Sequence, residues 1–438
     1  VHLLPNILFA IILICGIGFF VRNIRKVIGR IKLGRVIDRT DNSKQRWGNV
    51  VRIALGQSKM VVRPVSGIMH IIVYLGFIII NLEVLEIIID GLFGTHRIFA
   101  FMGSFYNVLI ASFEILALLV LIAVIVFWVR RNMQRIKRFL SPEMKGWPKQ
   151  DANIILYFEV VLMVLFLTMN AADLQLQRLG ADHYEAAGSF PVSQYLLPLI
   201  DSMSVESLVL LERTAWWIHI LGILVFLNYL YYSKHLHILL AFPNVYFGKL
   251  TPAGQFPNNE AVTKEVELMM DPNADPFAAP PESAEPPAKF GASDVIDLNQ
   301  VQLLNAYTCT ECGRCTSVCP ANQTGKKLSP RKIMMDTRDR LEEVGKQMEK
   351  NGKIEEGKQL LGDYISTEEL WACTSCNACV EACPVSIDPL SIIMDMRQFL
   401  VMEQSAAPSE LNVTMTNIEN NGAPWPFNQM DRANWINE

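Results

Sequence analysis

Five apolar stretches, at about residues 4–21, 64–89, 105–129, 153–171 and 207–232, decide most of what this chain can fold into. Each holds about 17 residues or more, the length at which a helix crosses the hydrocarbon of a bilayer. The overall hydrophobic content of 51% hides two unlike halves: residues 1–250 are membrane-grade, and 251–438 are polar. A net charge of −4 gives no support for nucleic-acid binding. The first residues open directly on an apolar run, without a basic leader or a small-residue cleavage site, so the segment is expected to be a retained anchor and not a signal peptide.

Basic residues orient the bundle. The connection 22–63 carries twelve Lys/Arg against two acids, Asp38 and Asp41, and the connection 130–151 carries seven. The opposite connections offer Arg97 and Arg178. By the positive-inside rule, five crossings then leave the C-terminal half in the cytoplasm of a bacterial or archaeal cell. Segment 172–206 becomes an outer loop, with an interfacial helix expected around Tyr195–Ile200.

That polar half contains Cys309-Thr-Glu-Cys312-Gly-Arg-Cys315-Thr-Ser-Val-Cys319-Pro320 and, again, Cys373-Thr-Ser-Cys376-Asn-Ala-Cys379-Val-Glu-Ala-Cys383-Pro384. Zinc uses four ligands in two CxxC pairs and would leave the third and fourth Cys of each run poorly placed. Disulfides need an oxidising compartment. The spacing C-x2-C-x2-C-x3-C-P is similar to the ligand run of bacterial two-cluster ferredoxins, where three thiolates hold one cubane and the fourth reaches the other. The resemblance implies one [4Fe–4S] cluster on Cys309, Cys312, Cys315 and Cys383, and a second on Cys373, Cys376, Cys379 and Cys319. The remaining Cys15 lies in an apolar run and is expected to be a small core or lipid-facing residue.

Of seven histidines, His70 falls two turns inside the second apolar stretch, His219 mid-way along the fifth, and His235 and His237 at its inner end. Ionisable groups in membrane helices are costly and are read first as functional. Eighteen residues are five whole turns, so a continuous helix would put His219 and His237 on one face about 27 Å apart, and His235 off that face. Imidazoles projecting from two helices of a bundle suit the axial positions of a b-type haem; interhelical hydrogen bonding is the plainer use.

Gly67-Ile-Met-His70, and Trp217-Ile-His219 followed by Leu236-His237-Ile238, resemble the gamma (cytochrome b) subunit of respiratory nitrate reductases, and the cytochrome subunit of heterodisulfide reductases looks related. The resemblance implies that His70 and His237 ligate a haem b near the cytoplasm, and that His219 serves a second, outer haem. This chain has Ile80 and Asn81 where the outer haem's other His is expected. Either that haem is absent or its ligand comes from elsewhere; His219 pairing with His70 is the alternative. One haem on His70 and His237 is expected, with His219 in reserve. Glu114 and Glu159 lie within membrane segments and either relay protons to a quinone or face polar seams. Glu83 and Glu86 are expected to reach the outer interface.

Residues 251–292 form a Pro-rich spacer with eight prolines between 251 and 291; a short helix around 260–270 is expected. In 293–403, Ser293 or Asp294 caps a helix from Val295 to Tyr307, residues 329–361 read as helix–turn–helix broken at Asn351-Gly352, a helix after Ser366 delivers Cys373, and Asp388-Pro389 starts the last. Helices between the cysteine runs resemble the α-helical ferredoxin of the heterodisulfide reductase C-subunit and of succinate dehydrogenase iron–sulfur subunits. The tail 404–438 carries Trp425 and Trp435, a partner surface or a segment folded back on its own module. Its wording is similar to the heterodisulfide reductase D-subunit and to bacterial electron-transfer-flavoprotein:menaquinone reductases, in which Cys-Cys-Gly-containing domains follow. With no adjacent Cys pair here, that resemblance implies a separate Cys-Cys-Gly iron–sulfur protein, a flavoprotein, or both.

The expected architecture is all-α: a five-helix transmembrane bundle (1–250), a linker (251–292), an α-helical two-[4Fe–4S] domain (293–403) and a docking tail (404–438). The expected function is electron transfer between membrane quinone, haem b, two [4Fe–4S] clusters and a cytoplasmic partner. A haem-free membrane anchor with a structural or sensory cluster pair is the alternative.

Overall fold

The computed structural model describes residues 3–437 apart from 253, 257, 259, 273–288 and 356, so most of the spacer's prolines lie outside the described residues. The protein is all-α. Among the described residues there is no strand, and two isolated bridges join Arg35 to Asn299 and Leu361 to Ile365.

The membrane bundle begins with α1 (Leu3–Ile31), followed by a basic connection containing the short α2 (Ser43–Asn49). Helices α3 (Pro64–Phe93), α4 (Ser104–Asn132), α5 (Trp147–Arg178) and α6 (Val205–Tyr229) complete five crossings. Thirty residues of α3 rise about 45 Å, more than the hydrocarbon thickness of about 30 Å, so its ends stand in the interfaces. Pro64 opens α3, where no N–H is needed, and Gly94 closes it at φ 69°, a conformation glycine adopts without strain. Cys15 is exposed on α1 and not part of the core. The expected interfacial segment is a 3-10 turn, Ser193–Leu199, with Tyr195 and Leu199 turned outward.

The fifth crossing does not continue to His237. It tightens into a 3-10 turn at Leu230–Tyr232, and Ser233 is extended (φ −116°, ψ 149°). The Ser233 hydroxyl then accepts from the His235 amide at 3.0 Å. This is the N-cap chemistry of a new start: a turn at Lys234–Leu236, then α7 (His237–Tyr246). His219 and His237 therefore do not share a helical stripe; the five-turn arithmetic fails because the helix it needs is interrupted.

Helix α8 (Glu260–Met270) forms where expected. The cysteine domain differs from expectation in two places. Asp294 caps only a 3-10 turn, Val295–Asp297, and Asn299 caps the helix that reaches the first cysteine, α9 (Gln300–Thr308). After α10 (Arg314–Val318) and α11 (Pro320–Gln323), α12 (Pro330–Asn351) stops at Gly352 with φ 68°. No second long helix follows: residues 360–364 make a single wide turn. A capping box on Ser366 starts α13 (Thr367–Trp371), then come α14 (Ala378–Ala382) and α15 (Pro389–Met402), the latter capped by Asp388. The tail holds α16 (Ser409–Asn421), and Trp425 and Trp435 are both exposed.

Both basic connections meet the cysteine domain at one end of the bundle. Arg30, almost fully buried, donates to Glu342 at 2.5 Å, Glu349 at 2.9 Å and the Tyr231 hydroxyl at 2.8 Å. Gly345 makes room for it, since a Cβ there would collide with the Arg30 side chain at Nε. Arg331 donates to Glu143 at 2.7 Å and to the Arg138 carbonyl at 2.6 Å. One apolar core runs from Val27, Phe226 and Leu236 into Val295, Leu303 and Met396, and a second fills the remote half of the bundle around Phe113, Phe166 and Trp216.

Candidate cofactor sites

The two cysteine runs are wound alike. In the first, Glu311 and Gly313 take left-handed conformations (φ 54° and 70°); in the second, Ser375 and Asn377 do so at the same offsets (φ 56° and 59°). These reversals turn three sulfurs inward before a short helix, α10 or α14, carries the chain to the fourth. Gly313 has a packing reason as well, since a Cβ there would lie 2.5 Å from Arg331 Nη1.

Cys309, Cys312 and Cys315 line one cavity with Cys383 from the other run. Cys319 neighbours Cys373, which also neighbours Cys376, and Cys379 neighbours both Cys373 and Cys319. Each fourth cysteine thus sits with the opposite run, and Cys379 also borders the first cavity, between the two sets. Among the described residues no three His, Cys, Asp or Glu side chains converge as they would on a single ion, and Cys309, Cys312, Cys315 and Cys383 surround a space. Burial pushes the thiols of Cys309 and Cys379 up to about 12 and that of Cys383 up to about 11. Thiolates there need a compensating metal charge. Backbone N–H groups aim at sulfur from Ser375 to Cys373 (3.4 Å) and from Ile387 to Cys383 (3.3 Å), the contacts that tune cluster potential. Cys376 is exposed, whereas Cys309 and Cys383 are buried.

At the foot of the bundle, the rings of His70 and His237 lie 6.5 Å apart. Two imidazoles sharing one metal through nitrogens about 2 Å from it have centroids about 6 Å apart. His237 Nδ1 is within 3.1 Å of the Lys234 carbonyl, leaving Nε2 for a ligand, and His70 Nδ1 is buried with no partner. The two rings therefore fit a metal-bound pair. His235, expected to face away, is 5.3 Å from His237 and 5.5 Å from Phe226. Burial pushes its imidazole down to about 3 and lowers that of His237, so both are neutral, the ligating form. The signal that could have found it is Ser233, an N-cap residue two positions before His235.

His219 is elsewhere. It is buried between α5 and α6, with Phe166 as its ring neighbour at 6.0 Å and Nδ1 unpartnered. Pairing with His70 finds no support in this placement.

The histidine pair abuts the first cysteine run. Arg314, inside that run, donates to the Lys59 carbonyl at 2.8 Å just ahead of α3, and its charge acts on His70. Arg63 donates to Ser317 at 2.7 Å, and Asn244 of α7 to the Val385 carbonyl at 2.8 Å. Lys234, which precedes the histidines, bonds buried Glu311 between Cys309 and Cys312, and Glu311 also pairs with Arg338 at 2.9 Å. Sequence reasoning missed Arg314, Lys234 and Glu311, because their partners are about 80 to 250 residues away in the chain.

The acids are redistributed too. Glu114 is tied to the outer loop: it accepts from Val192 N (2.8 Å), Ser193 N (3.0 Å), the Ser193 hydroxyl and Asn170 Nδ2 (3.2 Å). Glu159 lies on the inward stripe of α5 with Ile155, Leu162 and Phe166. Glu83 and Glu86 do not reach the interface; both are buried, around Arg97 and Tyr106.

Residues 308–387 match the family model described as a 4Fe-4S dicluster domain. Over 99% of its length the chain is similar, at 29% identity, to a probable iron-sulfur-binding oxidoreductase, FadF, of Bacillus subtilis, of which it covers 61%. It is 28% identical to an EtfAB:quinone oxidoreductase of Syntrophomonas wolfei over 92% of this chain and 55% of that one. The C-subunit of a ferredoxin/F(420)H(2)-dependent CoB-CoM heterodisulfide reductase of Methanosarcina acetivorans is 30% identical over 27% of this chain and 60% of its own. The chain thus spans 55–61% of the length of the first two relatives. No solved structure matches it significantly. The relatives are iron–sulfur oxidoreductases or their subunits, and the chain is a membrane protein with a dicluster domain of that kind.

Proposed function

We propose that this chain is an integral-membrane electron-transfer subunit of a quinone-linked oxidoreductase complex, working between membrane menaquinone, haem b, two [4Fe–4S] clusters and a cytoplasmic partner. The observation that carries the reading is the His70–His237 contact at 6.5 Å, beside the loop that Arg314 ties to the first cysteine run. Residues 1–250 make the cytochrome-like bundle, 251–292 the linker, 293–403 the dicluster domain and 404–438 the docking tail.

Cys309, Cys312, Cys315 and Cys383 are assigned to one cubane, and Cys373, Cys376, Cys379 and Cys319 to the other. His70 and His237 are assigned to the haem, His235 lies against that pair, and His219 is held for a second haem. Haem and cubanes supply one-electron chemistry. The protein's own part is to hold these sites close together, bury Cys309 and Cys383 at the first and expose Cys376 at the second. A cytoplasmic partner then meets the second site; an iron–sulfur unit with Cys-Cys-Gly motifs and a flavoprotein are the expected classes. The basic connections on the cysteine side assign that end to the cytoplasm.

A visible spectrum of the dithionite-reduced protein tests the reading. A b-type α-band that disappears in His70→Ala supports it. A wild-type spectrum without such a band leaves the haem-free anchor as the better account.

A further inference from the structure

At the end of the bundle remote from the cysteines, a cluster of charged side chains is buried around Arg97. Arg97 is 6% exposed and donates through Nε to Asp173 Oδ2 at 2.6 Å, through Nη2 to Asn170 at 3.0 Å and through Nη1 to the Tyr106 hydroxyl at 3.1 Å. Glu83, 3% exposed, stands 3.8 Å from the same guanidinium, and Glu86 is joined to it through Tyr106. Three carboxyl groups thus share one cation inside a medium that solvates charge poorly, and charge balance favours a proton held among them.

The contrast with Glu114 is informative. Glu114, which ties down the outer loop, takes four donors, and Asp173 takes Arg97 Nε and Gln177 Nε2 beside His96. Glu83 Oε2 is buried with no hydrogen-bond partner. From Asp173 a chain of titratable groups leads outward. Asp173 Oδ1 is 3.2 Å from His96 Nε2, and the His96 ring is 5.6 Å from that of His183, which is exposed.

We propose that this cluster is a proton-transfer path for a quinone in the remote half of the bundle, with Glu83 as inner carrier and His183 as mouth. The inference rests on the quinone-linked reading above. Oxidation of a quinol breaks two O–H bonds; its two electrons leave toward the cysteine domain and a soluble acceptor. Its two protons leave one at a time from Glu83, across the cluster to His96, which Asp173 orients, and out by His183. Quinone reduction by a soluble donor uses the same groups in reverse.

The test is stopped-flow reduction of the purified, cofactor-loaded chain by menadiol, followed at the iron–sulfur absorbance, with dithionite-reduced spectra as a check on intact sites. Glu83→Gln preserves shape, and His183→Asn suits the left-handed backbone at φ 77°. Each is expected to slow menadiol-driven reduction at least tenfold with unchanged dithionite spectra. Added imidazole, a diffusible proton carrier, is expected to restore His183→Asn and not Glu83→Gln. Wild-type rates in both variants, or a loss in His183→Asn that imidazole leaves untouched, overturn the path. A wild-type chain that menadiol does not reduce, though dithionite does, overturns the quinone reading instead.

Discussion

His237 lies 6.5 Å, ring to ring, from His70 even though the helix leading to it ends at Tyr229. The pair is made by a reversal at Ser233 and not by a helical stripe, so it depends on the Lys234–Leu236 turn as much as on the bundle. Replacing Ser233 by Ala removes the cap on His235 N at a cost of about 1 kcal/mol. A shifted or broadened haem α-band, with unchanged iron–sulfur absorbance, is the expected result in the reduced spectrum.

The crossing of the fourth cysteines makes an analytical prediction. Cys383→Ser is expected to damage the cluster of the first run, and Cys319→Ser that of the second. Each lowers non-haem iron from about eight toward about four atoms per chain. Paramagnetic resonance of the reduced variants should show two different surviving signals. Identical survivors would refute the crossed assignment.

Lys234 and Glu311 are both buried, and truncating one partner of such a pair strands a charge. Lys234→Met is expected to destabilise the domain junction by about 3 kcal/mol, the low end of the usual range because Arg338 still pairs with Glu311. Adding Glu311→Gln should recover more than half of that loss in thermal unfolding.

Glu143 gives the junction a pH dependence. Burial alone would raise its pKa, but hydrogen bonds from Ser329 and Arg331 outweigh burial and hold it below the usual glutamate range. A depressed folded-state pKa contributes stability above the ordinary value, and that contribution is lost as pH falls through the folded value. Protection of the Arg331 and Lys332 amides in hydrogen exchange is therefore expected to differ between wild type and Glu143→Gln at neutral pH. The two should converge as the medium is acidified below the ordinary carboxylate range.

The fold was largely legible because its two signals are local. Apolar runs long enough to span and a repeated cysteine spacing each fix a structure without knowledge of distant residues. Where reading the chain failed, the cause was long-range. The break at Ser233 violates no propensity rule severely; an N-cap residue there is a weak local sign, and only the return of His237 toward His70 on α3 gives it weight. The 329–361 segment carries helix-forming residues beyond Gly352, but tertiary hydrogen bonds from Leu360 N–H to Asp294 Oδ1 (3.2 Å) and from Leu361 N–H to the Ser293 carbonyl (2.9 Å) hold residues 360–364 in a turn. Glu83 looks interfacial by position on α3, and only the return of Arg97 and Asp173 from other elements explains its burial.

The docking of α7 has one more implication. His237 begins a helix whose Asn244 is tethered to Val385, one residue past the Pro384 that closes the second cysteine run. The imidazole pair and the last turn of the sulfur scaffold are therefore mechanically one piece. Strain on the Val385 loop is carried through Asn244 into the helix that begins with His237, and so to the ring pair at the foot of the bundle.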